Sequence, residues 1–173
     1  MPPTLPIYLD NHATTRVDDR VLEAMLPYFT EIYGNAASRG HSFGYQAKNA
    51  VEAARTQVAD LLGCSPKEIL WTSGATESNN LAIQGIVAGR PERGKHLVTV
   101  ATEHKAVLDT YAALERRGYE IRVLGVDQRG ALDLDELAAA LRSDTVLFSA
   151  MAANNEVGVL HDLPAIAEIC QRR

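Results

Sequence analysis

Cysteine is scarce in this chain. Cys64 and Cys170 are its only two, far apart and in no Cys-x-x-Cys pairing. That argues against a disulfide framework and a thiolate zinc site, so no metal is expected, and reduced thiols in a cytoplasmic protein fit best. Positive charge is short too. Seventeen Lys and Arg against 22 Asp and Glu leave a formal net charge of -5. Such a balance argues against a nucleic-acid or anionic-membrane face. No apolar run approaches the roughly 20 residues that span a bilayer. The opening Met-Pro-Pro-Thr-Leu-Pro has no basic stretch and no apolar core, so no secretory signal is expected. Neither G-x-x-x-x-G-K-[ST] nor G-x-G-x-x-G occurs, which disfavours an NTPase loop and a dinucleotide site.

What is present alternates. Ile7 to Leu9 reads as a short strand, and Val21 to Phe29 as a helix with Asp18 or Asp19 near its start. Residues 33–42 form a loop of small and polar residues. Ala47, Val51, Ala54, Val58 and Leu61 recur at steps of four and three, which places them on one helix face. Gly63 is the expected C-cap, and Ser65-Pro66-Lys67-Glu68 has a capping-box pattern. Strands are then expected at 69–72, 96–100, 119–124 and 145–151. Helices are expected at 77–88, 104–117 (ending at Gly118), 133–141 and from Asp162 onward. Strand and helix in turn imply βαβ crossovers: an α/β fold in three layers, a mostly parallel sheet with helices on both faces.

Open parallel sheets bind ligands beyond the carboxyl ends of their strands. Three clusters fall there: Ser73-Gly74-Ala75-Thr76, Thr102-Glu103-His104-Lys105 and Ala153-Asn154-Asn155-Glu156. Gly74 suits a tight turn and close backbone approach. Ala75 and Thr76 open a helix whose first N–H groups lack partners, a setting for a phosphate or for a plain N-cap. His104 opens another helix, where the helix end favours the uncharged ring. It reads either as a group that stacks on a flat ligand and relays a proton, or as a solvated first-turn histidine. Asn155 could donate to a ligand oxygen or simply shape a turn.

Five segments occur in order: Tyr8-Leu9-Asp10-Asn11-His12-Ala13-Thr14-Thr15, residues 34–41 (GNAASRGH), residues 72–80 (TSGATESNN), residues 102–107 (TEHKAV) and residues 154–158 (NNEVG). Together they resemble the cysteine desulfurases among class V, fold-type I pyridoxal-phosphate enzymes, above all those serving iron–sulfur cluster assembly. The resemblance runs through nearly the whole chain. It implies an incomplete fold-type I large domain: an amino-terminal segment at 1–15, the first part of the cofactor-binding domain at 16–173, and the rest of that domain plus a small carboxy-terminal domain missing. It implies conversion of L-cysteine to L-alanine, with sulfur passed on as an enzyme persulfide.

By the same resemblance, Gly74, Ala75 and Thr76 hold the phosphate of pyridoxal 5'-phosphate. His104 stacks on its ring and takes part in proton transfer, Asn155 bonds its phenolic oxygen, and Asn35 lies near the substrate. A homodimer partner and a sulfur-accepting scaffold protein are likewise implied, and neither nucleic acid nor membrane. The chain departs from the family pattern at Asn11-His12, Arg16 and Gly34-Asn35-Ala36, which leaves the subgroup open. None of its four lysines, Lys48, Lys67, Lys95 and Lys105, stands in the family's Schiff-base context. Neither cysteine matches the family's mobile-loop nucleophile, so the chain by itself is expected to be inactive. A selenocysteine lyase, an aminotransferase of the same class, and a non-catalytic fragment are the alternatives.

Overall fold

The computed structural model describes residues 6–172. The first five residues of the expected 1–15 segment, and with them most of the signal-free opening, lie outside the described residues. The chain divides into two compact units, Met1–Trp71 and Thr72–Arg173.

In the first unit, Asp18 caps α1 (Asp19–Met25) by accepting from the Arg20 N–H. Pro27 then starts a separate turn, α2 (Pro27–Thr30), so the expected single helix over 21–29 is split. Proline lacks the N–H that would continue a helix and is tolerated only in its first turn. The long α3 (Ser42–Leu62) ends at Gly63 in the left-handed conformation, φ 68°, as the periodicity predicts. Gly44 packs so closely that a Cβ there would stand 2.1 Å from the Ser38 carbonyl oxygen. The capping box of Ser65 and Glu68 forms around the short turn Pro66–Glu68.

Two expected strands are absent. Residues 7–9 and 69–72 are irregular and unpaired among the described residues, and Leu9 and Leu70 are exposed. An apolar run becomes a strand only when another strand takes its backbone hydrogen bonds. Leu61 is a further correction: it stands 85 % exposed although it continues the apolar periodicity of α3.

The second unit is the α/β body. Its elements are α4 (Ala75–Gly89), β1 (His96–Val100), α5 (Lys105–Glu115), β2 (Glu120–Leu124), α6 (Leu134–Ala140), β3 (Thr145–Ser149) and α7 (Leu163–Gln171). The three strands are all parallel in the order β2-β1-β3. β3 stops two residues before the expected Met151, and α5 starts one residue after His104, which is its cap.

β1 is buried along its whole length, and its side chains alternate between two cores. Leu97 packs with Ile83 and Val87 of α4 and with Val107, Tyr111 and Leu114 of α5. Val98 and Val100 pack with Leu124, Leu137 of α6 and Ile166 of α7. Helices therefore cover both faces, and the three-layer arrangement follows from a central strand that is apolar on both sides. The two sheet edges differ. β2 carries Glu120 and Arg122, charges that blunt an edge, whereas β3 presents half-buried Val146, Leu147 and Phe148.

Candidate functional site

The carboxyl ends of β1 and β3 deliver two loops to one side of the second unit. Between them and α4 lies a cleft of about 560 Å³, lined among others by Asn79, Ile83, Glu103, His104, Ser149 and Met151. His104 thus faces a cavity, as the strand-end rule predicts. Gly74, Ala75, Thr76 and Asn155 are not part of its lining. They stand at the head of α4 and in the loop after β3.

His104 is the N-cap of α5, and its Nδ1 accepts from the Ala106 N–H at 3.1 Å. An accepting Nδ1 in a neutral ring puts the proton on Nε2. The cap that starts the helix therefore also sets the tautomer.

At the head of α4, the Ala75, Thr76 and Glu77 N–H groups find no acceptor among the described residues, as expected for a first helical turn. The Glu77 carboxylate turns back to Ser73, taking its N–H and its hydroxyl, each at 2.6 Å. Those two bonds hold its carboxyl below the usual range. Thr72 Oγ1 meets Ser78 Oγ at 2.6 Å. Gly74 corrects an expectation: at φ 162° its backbone is extended, open to any residue, so no tight turn requires glycine. A Cβ there would meet nothing within 4 Å.

Asn154 and Asn155 differ sharply. Asn155 is exposed, and no group among the described residues bonds its side chain. Asn154 is buried, with its amide spent on protein partners. Asn35 belongs to the first unit, where its Oδ1 accepts from the Ala37 N–H at 2.8 Å in a turn.

Glu103 was not singled out by residue type, yet it lines the cleft. Its Oε1 is buried without a partner, and burial pushes its carboxyl up, with the Met151 N–H and His104 drawing it back. A carboxylate beside His104 at a strand end was the available signal. Below it lies a buried polar set: Tyr111 Oη donates to the Val98 carbonyl at 3.1 Å, and Thr99 Oγ1 meets Ser149 Oγ at 3.0 Å. Burial pushes Tyr111 up to about 12.

Neither lysine of the second unit lines this cleft. Lys48 and Lys67 belong to the first unit, and Lys95 precedes β1, at the opposite sheet edge, 6.0 Å from the Tyr119 ring centre. Lys105 is the exposed first residue of α5. Cys170 packs against the core under α7, and burial pushes its thiol up, away from the reactive thiolate. Among the described residues no group of His, Cys, Asp and Glu could hold a metal, and no helix is long and apolar enough to cross a membrane.

Residues 7–173 match the model of the family described as aminotransferase class-V. A cysteine desulfurase IscS of Neisseria meningitidis serogroup C / serotype 2a is 58% identical over 97% of this chain and 42% of its own length. Among solved structures, one titled as a NifS-like protein superposes with a TM-score of 0.89 at 43% identity, covering 94% of this chain and 44% of the other. Another, titled SspA in complex with cysteine, gives 0.86 at 36% identity, covering 93% and 46%. The chain thus spans less than half the length of these relatives.

Proposed function

The chain belongs to the class-V aminotransferase family, and from that premise we propose that it is the amino-terminal part of a pyridoxal-phosphate-dependent cysteine desulfurase of the cytoplasm. The whole protein converts L-cysteine to L-alanine and carries the sulfur as a persulfide toward iron–sulfur cluster or thiocofactor synthesis. The observation that carries this reading is the likeness to a cysteine desulfurase at 58% identity over 97% of the chain. The relative solved with cysteine supports the substrate. A homodimer and a sulfur-accepting scaffold protein complete the proposal.

The residues present fit the cofactor in part. Free N–H groups at Ala75 and Thr76 and the Thr76 hydroxyl suit a phosphate, with the α4 dipole adding to the attraction. The unpaired Asn155 amide suits a ring oxygen. When bound, the cofactor supplies an electron sink for charge that develops on the substrate.

This chain's own contribution is binding and proton handling. His104 gives or takes a proton at Nε2, since Nδ1 is held by Ala106. Asn35 is assigned to the substrate on the family resemblance alone. The Schiff-base lysine and the persulfide cysteine are assigned to the part of the protein beyond this chain, because no lysine described here sits at the carboxyl edge of the sheet with its side chain in the cleft.

The test uses two proteins. The 173-residue chain with pyridoxal phosphate and L-cysteine is expected to yield no alanine. The same chain continued to the length of its relatives, given dithiothreitol to reduce the enzyme persulfide and release its outer sulfur, is expected to yield alanine and sulfide in equal amounts. Sulfide from the short chain would mean that the lysine is misassigned. Transamination without sulfur release by the long one would favour an aminotransferase.

A further inference from the structure

Asn154 and Asn155 are the same residue type side by side, and only one is free. Asn154 is 8 % exposed. Its Nδ2 donates to the Thr102 carbonyl at 3.0 Å, across 52 positions of sequence, with the Met151 sulfur at 3.5 Å on the same nitrogen. Its Oδ1 accepts from both the Glu156 and the Val157 N–H at 2.9 Å. Its own backbone pairs with Val159 and Gly158, next to the Ala153–Leu160 bridge.

One amide therefore joins two loops. Thr102 lies two residues before His104 on the loop after β1, and Asn155 follows Asn154 on the loop after β3. We propose that Asn154 is a positioning residue whose amide clamps these loops together and so sets His104 and Asn155 at a fixed spacing for a flat ring ligand. A turn-forming role alone would need only Oδ1. The Nδ2 bond to a distant loop goes beyond it. The clamp rests on geometry, while its purpose rests on the functional reading above.

The test separates the two ends of the amide. Asn154→Asp keeps an oxygen for Glu156 and Val157 but sets an acceptor against the Thr102 carbonyl. Asn154→Ser, too short to reach Thr102, is the second variant should the aspartate disturb folding. Hydrogen exchange is measured on the 173-residue chain, with Asn155→Ala as the control. Exchange at the Glu103 N–H, which donates to the Val100 carbonyl beside the clamp, is expected to rise about tenfold in both Asn154 variants, the loss of roughly one hydrogen bond. The β1 amides and the control should not change. With pyridoxal phosphate as probe, the circular dichroism of each bound cofactor should alter in Asn154→Asp, which a mere loss of stability would not cause. Unchanged exchange at the Glu103 N–H overturns the clamp, and unchanged dichroism with raised exchange overturns its positioning role. If the 173-residue chain, to which the proposed function assigns no Schiff-base lysine, binds no cofactor, the dichroism is read on the chain continued to its relatives' length; no binding there overturns the functional reading, and exchange alone then decides the clamp.

Discussion

The two units of this chain are folded on different terms. In the second, Leu97, Val98, Leu114, Leu124 and Leu137 are fully buried around a strand that is apolar on both sides. In the first, the only buried described residues are Gly44, Ala47 and Ala59. Its large side chains face outward, Leu9 at 82 % and Phe29 at 69 % exposure among them. A folded surface rarely leaves so many bulky apolar groups bare unless something else covers them. The second unit is a body with its own core. The first is a helical unit whose bulky apolar groups are open to contacts that its own described residues do not make.

The largest test of that contrast is a pair of leucines. Leu137→Ala, in the second unit's core, is expected to cost about 2–5 kcal/mol in a denaturant melt. Leu61→Ala, in the first unit, is expected to change stability by no more than about 0.5 kcal/mol. Equal losses would erase the distinction. A bare sheet edge is expected to leave the isolated chain marginally stable, and a cooperative melt well above room temperature would count against that.

Next comes the phosphate seat. Thr76→Val keeps shape and removes one donor. In the protein continued to its relatives' length it should weaken pyridoxal-phosphate binding roughly five- to tenfold with the melting point unmoved. His104→Gln in the same protein should slow turnover while the cofactor stays bound. Unaltered affinity in the first, or unaltered turnover in the second, removes the assigned role.

A third test compares helix caps. Asp133 accepts from both the Asp135 and Glu136 N–H at the start of α6, over a buried Leu137. Its replacement by Ala should lower stability by about 1 kcal/mol. Asp18→Ala in the first unit should fray α1, read by exchange, with less effect on the global melt.

The smallest effect is with pH, and it belongs to the second unit. His96 is buried at the start of β1, with Nδ1 2.8 Å from Thr145 Oγ1, itself holding the Arg142 N–H. Burial first, then Arg142, keeps its ring from protonating, against the opposing pull of Glu120 and Asp144. The folded state therefore binds its proton less readily than the unfolded chain. Stability is unaffected above the ordinary histidine range of about 6.5 and falls as pH drops through it. Glu103 acts in the opposite sense. Burial raises its carboxyl, so the folded state takes up its proton first and gains as pH falls toward the ordinary glutamate range. His96→Gln should flatten the first slope, and Glu103→Gln the second.

Local signals made the helices legible in the sequence. The Gly63 cap, the Ser65 box, the Asp133 and Asp162 starts and the β1 run all stand where composition put them. The strands expected at 7–9 and 69–72 failed because pairing is not local: nothing in Ile-Leu-Trp states which backbone will lie beside it. Pro27 was a readable break. The candidate cleft was legible as strand ends in part: His104 lines it, whereas Gly74, Ala75, Thr76 and Asn155 do not. What sequence could not say was which of two adjacent asparagines is pinned. That depends on a carbonyl 52 positions away. Nor could it say that Glu103 would be half-closed in a cleft.

The central place of β1 also sets a timetable. Its first neighbour, β2, is complete at Leu124, but its second begins only at Thr145. Ribosomes add about 5–20 residues per second, so one edge of β1 waits roughly 1–4 s for its partner. Throughout that interval a strand built of Leu, Val and Thr is half-satisfied in a crowded cell. The nascent chain is then at its most open to wrong pairing, and holding factors that bind apolar segments have their moment to act.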